Sequence, residues 1–219
     1  MDYEPFYLSI KILLICLFLF LIFGTLIAYY LANSKSKFIF VVESLVTLPL
    51  IFPPVAIGFF LLILLGKNGF LGSFFSDFNI YFIFEFKSLV IAGFIAGLPL
   101  YVKPVAASLE LFPKNIIEAS LLSGKTKLET LIYIVLPSIK KSILSSIIIA
   151  LGRCLGEVGI SLMLGGNIIG KTDTLSLAIY NAVYDGEYEK AMKLSFILVF
   201  ISLFLFMILY FLKKEKRWY

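Results

Sequence analysis

The chain of 219 residues contains no histidine. That absence excludes imidazole metal centres and catalytic triads built on a histidine base. Cysteine is scarce too. Cys16 and Cys154 stand far apart, both in apolar context. Neither a disulfide nor a thiolate metal site is expected, and both read as buried small hydrophobes. Charge is thin: 15% of residues carry one, against about 25% in an ordinary soluble domain. That is too little to cover a globular surface. Apolar residues make up 61%, and the mean hydropathy is +1.02. An all-α integral membrane protein follows, with the lipid bilayer as its solvent.

The apolar residues fall in long runs. Residues 12–34 and 44–66 each hold 23 residues without a charge, and about 20 helical residues cross a bilayer. The first run follows an acidic start, MDYEPF, is too long for a signal-peptide core and lacks a small-x-small cleavage site. It reads as a retained span. The second contains Pro49, Pro53 and Pro54, which free backbone carbonyls that neighbouring helices must satisfy. A kinked helix in a bundle is expected there. Residues 67–87 form a Gly- and Phe-rich loop fit for an interfacial aromatic belt. Five spans are expected, at about residues 8–33, 40–66, 86–111, 138–164 and 191–212. The third runs through Lys103, which can snorkel.

The excess of positive charge, +5, reads as a topology signal rather than a nucleic-acid footprint. With five spans, twelve Lys and Arg fall on the side of the C-terminus and six on the other. The bias places the N-terminus outside and the C-terminus inside. The longest polar break between spans, residues 114–137, is then cytoplasmic.

That break reads NIIEASLLSGKTKLETLIYIVLP from Asn115. Two short helices are expected, at about 114–123 and 127–135. Gly124 sits at the turn, free to take positive φ. Pro137 is expected to stop the second helix and turn the chain into the fourth span. Glu118 would stand exposed. The spacing alone is equally compatible with an ordinary amphipathic connecting loop.

The order Glu118-Ala119-Ser120, three residues, Gly124, nine residues, Ile134, one residue, Leu136-Pro137 resembles the EAA loop of ABC importer membrane subunits. Ser120 replaces the second alanine of that pattern. The resemblance extends to residues 44–72 and 152–191, where LGEVG, GGNI-x-G-K-T-x-T and LAIY are similar to molybdate permeases. Tungstate permeases also carry GGNI, and sulfate permeases share the LGE and GN elements. The molybdate family usually has proline where Ile169 stands.

The resemblance implies the type I ABC importer permease fold, with residues 1–219 as one transmembrane domain. It implies that Glu118, Ala119, Ser120, Gly124, Leu136 and Pro137 couple the chain to a separate ATPase. The implied assembly is a homodimer with two ABC ATPase subunits and an extracytoplasmic molybdate-binding protein, in the cytoplasmic membrane of a prokaryote. ATP and magnesium belong to the ATPase. The chain itself is expected to hold no cofactor and no metal, and to catalyse no covalent step. Permeases for tungstate or sulfate, an autonomous channel or secondary carrier, and a membrane enzyme such as a lipid-modifying transferase are the other readings. A channel would need no docking motif, and the enzyme lacks histidine and acidic clusters.

Two further features lie beyond the coupling loop. Residues 165–172, GGNIIGKT, satisfy the phosphate-binding pattern G-x-x-x-x-G-K-[ST]. A membrane span leads into them, though, and no α/β domain surrounds them, so a nucleotide site is not expected. Residues 165–190 read instead as an external gate, with Gly165, Gly166, Asn167, Thr172 and Thr174 as its candidate residues. Thr172, Asp173 or Thr174 would cap the short helix LSLAIYNAVY. Arg153 and Glu157 share one helix face in the fourth span. They form either a structural ion pair or a positive lining for a passing oxyanion.

Overall fold

The computed structural model describes residues 4–214, with side chains described to residue 211. The basic tail at residues 213–217 therefore lies at and beyond the edge of the described residues. Those residues are all-α, without a strand.

The first helix, α1 (Glu4–Asn33), includes a π turn at Phe20–Gly24. It is followed by α2 (Ile39–Ile51), α3 (Pro54–Leu65), α4 (Phe70–Ser76) and α5 (Phe86–Glu110). Two short helices, α6 (Lys114–Leu122) and α7 (Lys127–Ser138, with a π turn at Leu131–Val135), occupy the polar break. Then come α8 (Lys140–Leu155), α9 (Gly159–Gly165), α10 (Leu175–Tyr184) and α11 (Tyr188–Lys214).

By length and composition α1, α5 and α11 can each cross a membrane, and up to five crossings result if each bent helix pair counts as one. Burial separates their roles. The most apolar stretch of α5 is 56% buried, and that of α11 is 6% buried. Helix α5 is the hub, packed by α1, α2, α8 and α9. Its small residues Ala92, Gly93, Ala96 and Gly97 are buried and admit neighbours to close range. A Cβ on Gly97 would sit 2.6 Å from the Phe20 ring.

The π turn in α1 serves this contact. It brings Phe20 between Phe94 and Tyr101, with ring centroids 5.2 and 5.6 Å away. Gly24 lies flat against Tyr101, where a Cβ would approach its ring to 2.5 Å. The Tyr101 hydroxyl is paired with Thr25 Oγ1 at 2.7 Å, so its burial leaves no orphan polar group. Cys16 and Cys154, distant in sequence, meet on either side of Gly93. Both are free and buried. Cys154 donates to Gly93 O at 2.9 Å, and Cys16 donates to Val90 O at 3.7 Å.

Two expected spans are interrupted. Residues 40–66 divide at Phe52-Pro53. The residue before a proline avoids the helical region, and here both do so, with Phe52 at ψ 146 and Pro53 at ψ 132. Pro54 then opens α3, where its missing N–H is harmless. Pro49 stays inside α2. Residues 138–164 divide at Gly156–Val158, so α8 and α9 are separate helices. The chain enters α8 through a 73° bend from α7. Pro137 lies within the last turn of α7, and the turn itself falls at Ile139. The loop at 67–87 contains α4, with Phe75 edge-on to Phe82.

Candidate functional site

The polar break is built as two helices joined by a tight corner. Helix α6 ends in paired backbone bonds: Gly124 N–H donates to Leu121 O at 3.0 Å, and Lys125 N–H donates to Ser120 O at 3.3 Å. This double closure requires a left-handed residue at the turn. Gly124 supplies it, at φ +85, with open space around its Cα. Thr126 starts α7 with a capping box: its hydroxyl accepts from Glu129 N–H, and the Glu129 carboxylate accepts from Thr126 N–H at 2.7 Å. The Thr126 backbone bond, then its hydroxyl, hold the Glu129 carboxyl below the usual glutamate range.

Glu118, Ala119, Gly124 and Pro137 are exposed, and Leu136 is half-buried. Ser120 is buried and bonded to Thr130 Oγ1 at 2.8 Å. Leu122 is 89% exposed and Leu128 64% exposed on this polar corner. Both leucines stand among the lysine and glutamate residues of the corner. The T-x-x-E pattern from Thr126 to Glu129 is a local signal that the sequence reading missed. The partnership of Ser120 with Thr130 was not legible, because ten residues of turn geometry separate them.

The glycine loop lies at the other end of α5. Gly165 packs against Leu89, and Lys171 Nζ meets Glu85 Oε1 at 2.6 Å, both at the start of that helix. The polar corner follows its end, about 37 Å away along 25 helical residues.

The loop is laced from within. Thr172 is fully buried; its hydroxyl donates to Gly165 O at 2.7 Å and accepts from Ile168 N–H at 2.8 Å. Gly170 N–H donates to Asp173 Oδ1 at 2.9 Å. Asn167 and Asn181 exchange side-chain amide bonds. Gly166, Asn167 and Gly170 hold positive φ of 68, 52 and 75. Thr174 caps α10 by accepting from Leu177 N–H, and Leu175 N–H reaches Ser9 Oγ on α1 at 2.9 Å. The phosphate-loop pattern has no cradle here. The N–H groups of Ile168 and Gly170 already serve side chains, and the lysine is engaged by Glu85. Asn181, Ser9 and Glu85 carry no local motif, so the sequence did not single them out.

Between the two ends, at the break in residues 138–164, Arg153 and Glu157 meet at 2.6 Å. The Glu157 side chain is 1% exposed and that of Arg153 32%. Glu157 Oε1 accepts from Ile160 N–H at 2.7 Å, closing the start of α9. Its Oε2 meets Arg153 as a close ion pair without hydrogen-bond alignment. A Cβ on Gly152 would meet nothing within 4 Å, so α8 leaves an open face beside Arg153.

The family described as "Binding-protein-dependent transport system inner membrane component" matches residues 12–215. A probable transport system permease protein NifC of Clostridium pasteurianum is 40% identical over 174 residues, 79% of this chain; the chain spans 61% of that protein's length. The molybdenum transport system permease protein ModB of Haemophilus influenzae is 31% identical over 156 residues, 71% of this chain and 68% of that protein. The sulfate transport system permease protein CysW of Synechococcus elongatus is 30% identical over 161 residues, 74% of this chain and 56% of that protein. The chain belongs to the binding-protein-dependent transport system inner membrane components, the membrane subunits of ABC importers.

Proposed function

We propose that this chain is the permease of an ATP-driven importer that carries molybdate across the cytoplasmic membrane. The observation that carries the reading is the polar corner, in which two short capped helices present Glu118, Ala119 and the exposed Leu122 at one end of a membrane bundle. The corner also carries the order of the EAA pattern, from Glu118 through Gly124 to Pro137. Two ATPase subunits bind that corner on two copies of the chain, and a binding protein delivers the oxyanion at the glycine-loop end. ATP closes the ATPases, and the corner carries their movement into α8 through the bend at Ile139. ATP and magnesium act on the ATPase, and this chain makes and breaks no covalent bond. The lysine and arginine bias favours the N-terminus outside and the C-terminus inside.

Molybdate is favoured by the relatives named for molybdenum transport and by the LAIY and GGNI elements. Sulfate is the second reading, because sulfate permeases are also similar and sulfate is another tetrahedral dianion. Tungstate stands beside them on the GGNI element. Purification of the tagged chain from the membrane is expected to bring an ABC ATPase with it. Uptake of molybdate by cells is expected to stop when the chain is deleted, and to resist excess sulfate. Uptake that continues without any ATPase would sink the importer reading, and competition by sulfate at equal concentration would move the assignment to sulfate.

A further inference from the structure

We propose that the hydrogen bond between Ser120 and Thr130 is the clasp that fixes the angle between α6 and α7, making these two residues positioning residues for the docked ATPase. The proposal rests on the permease reading above and concerns the same corner. The EAA pattern carries alanine at the place of Ser120, so this chain adds a hydroxyl where the pattern has none. Across from it stands a second hydroxyl, Thr130, and both residues are buried.

Proton accounting gives the bond its direction. Thr130 Oγ1 donates to Thr126 O at 2.9 Å, and a hydroxyl has one proton to give. The proton in the 2.8 Å contact therefore comes from Ser120. The chain of donors runs Ser120 to Thr130 to the Thr126 carbonyl. Thr126 is also the cap of α7, so the clasp ties the middle of α6 to the first turn of α7. The Gly124 corner sets the path of the backbone between them, and the clasp holds the two helices once they have turned. A push on α6 then moves α7 as one body, and α7 feeds α8 through the 73° bend. Without the clasp, the same push is absorbed as a change of angle at Gly124.

Removing one partner of a buried hydrogen bond is worse than removing both. Thr130→Val leaves the Ser120 hydroxyl without its acceptor. Thr130→Ser keeps the acceptor. Ser120→Ala with Thr130→Val removes donor and acceptor together.

The test uses the full chain in nanodiscs and the ATPase that co-purifies with it. The dissociation constant for the ATPase and the melting temperature of the permease are both measured. Thr130→Val is expected to weaken ATPase binding about tenfold and to lower the melting temperature, since it leaves a buried hydroxyl unpaired. Thr130→Ser is expected to bind as the unaltered chain does. The double variant lacks the clasp but leaves no buried hydroxyl unpaired, and is expected to bind as weakly as Thr130→Val with a melting temperature nearer that of the unaltered chain. If Thr130→Val fails to fold, the double variant carries the test, and weakened binding at a near-normal melting temperature gives the same support. The clasp is overturned by a Thr130→Val variant that binds normally, by a Thr130→Ser variant as weak as Thr130→Val, or by a double variant that binds as the unaltered chain does. An unaltered chain that recovers no ATPase would overturn the permease reading itself, a result distinct from these.

Discussion

Gly159 lies so close to Pro54 that a Cβ on the glycine would stand 2.8 Å from the proline Cβ. The first residue of α9 thus touches the first residue of α3, and the two interruptions of the bundle sit side by side. Gly58 repeats the contact one turn on, against Met163. Helices α3 and α9 are locked together on one side of the breaks, while α2 and α8 each pack on α5.

Gly159→Ala is expected to destabilise the protein by about 1–3 kcal/mol, the usual effect of overpacking. Gly152→Ala enters open space in a helix interior and is expected to stabilise by up to about 1 kcal/mol. Thermal unfolding in detergent checks both, and equal shifts would refute the close contact.

Glu157→Ala removes the acceptor for Ile160 N–H and leaves Arg153 without its counter-charge. A loss of about 2–3 kcal/mol is expected, below the usual figure for a fully buried pair because Arg153 is partly exposed. Glu157→Gln keeps an acceptor for Ile160 and is expected to lose less. Arg153→Lys is expected to retain assembly and uptake, as befits a structural pair. Normal assembly with lost uptake would instead place Arg153 on the oxyanion path.

Gly124→Ala forces an L-residue to φ +85 and is expected to cost about 1–2 kcal/mol at the corner. Gly124→Asn is expected to cost less, since asparagine tolerates this region. Recovery of the ATPase on the purified chain should fall in that order. Because nothing lies within 4 Å of Gly124, an equal loss from both variants would mean that crowding by the ATPase, and not backbone strain, sets the requirement.

Glu129 links the corner to pH. Its folded pKa is lowered by bonds from Thr126, so the carboxylate's contribution is present above the unfolded value of about 4.3. It is lost as pH falls through the lower folded value. Protection of the amides at the start of α7, taken relative to intrinsic exchange at each pH, is expected to fall only in that acid window. Glu129→Gln is expected to remove this pH dependence of the protection. Loss of protection beginning near neutrality would contradict the assignment.

The glycine loop is laced in this conformation, and a gate must be able to leave it. Asn167→Cys combined with Asn181→Cys places two thiols where the amides now meet. Oxidation is expected to stop molybdate uptake and reduction to restore it. Normal uptake in the oxidised protein would remove the gate.

Helix content and the membrane setting were legible because apolar run length and scarcity of charge are local properties of the chain. Gly124 and a cap for α10 among Thr172, Asp173 and Thr174 were legible for the same reason, since each acts within four residues; the Thr126 cap, equally local, was missed. The breaks at Phe52-Pro53 and Gly156–Val158 were harder. Proline and glycine warned of a kink, but Pro49, Pro99 and Pro104 remain inside helices. Only packing distinguishes a tolerated proline from a break. The reciprocal Asn167–Asn181 bonds, the Ser9–Leu175 bond and the meeting of Cys16 with Cys154 join distant segments, and no periodicity in the sequence encodes such partnerships.

Helix α5 joins the two working ends of the molecule as a single rod of 25 residues, about 37 Å long. A rod pivoted near one end magnifies rotation into travel. A tilt of about 5° would carry the far end by about 3 Å over that length, several times what the hydrogen bonds of the glycine loop can stretch before they part. The stroke required of the proposed ATPase partner is therefore small, provided the rod stays stiff between its ends.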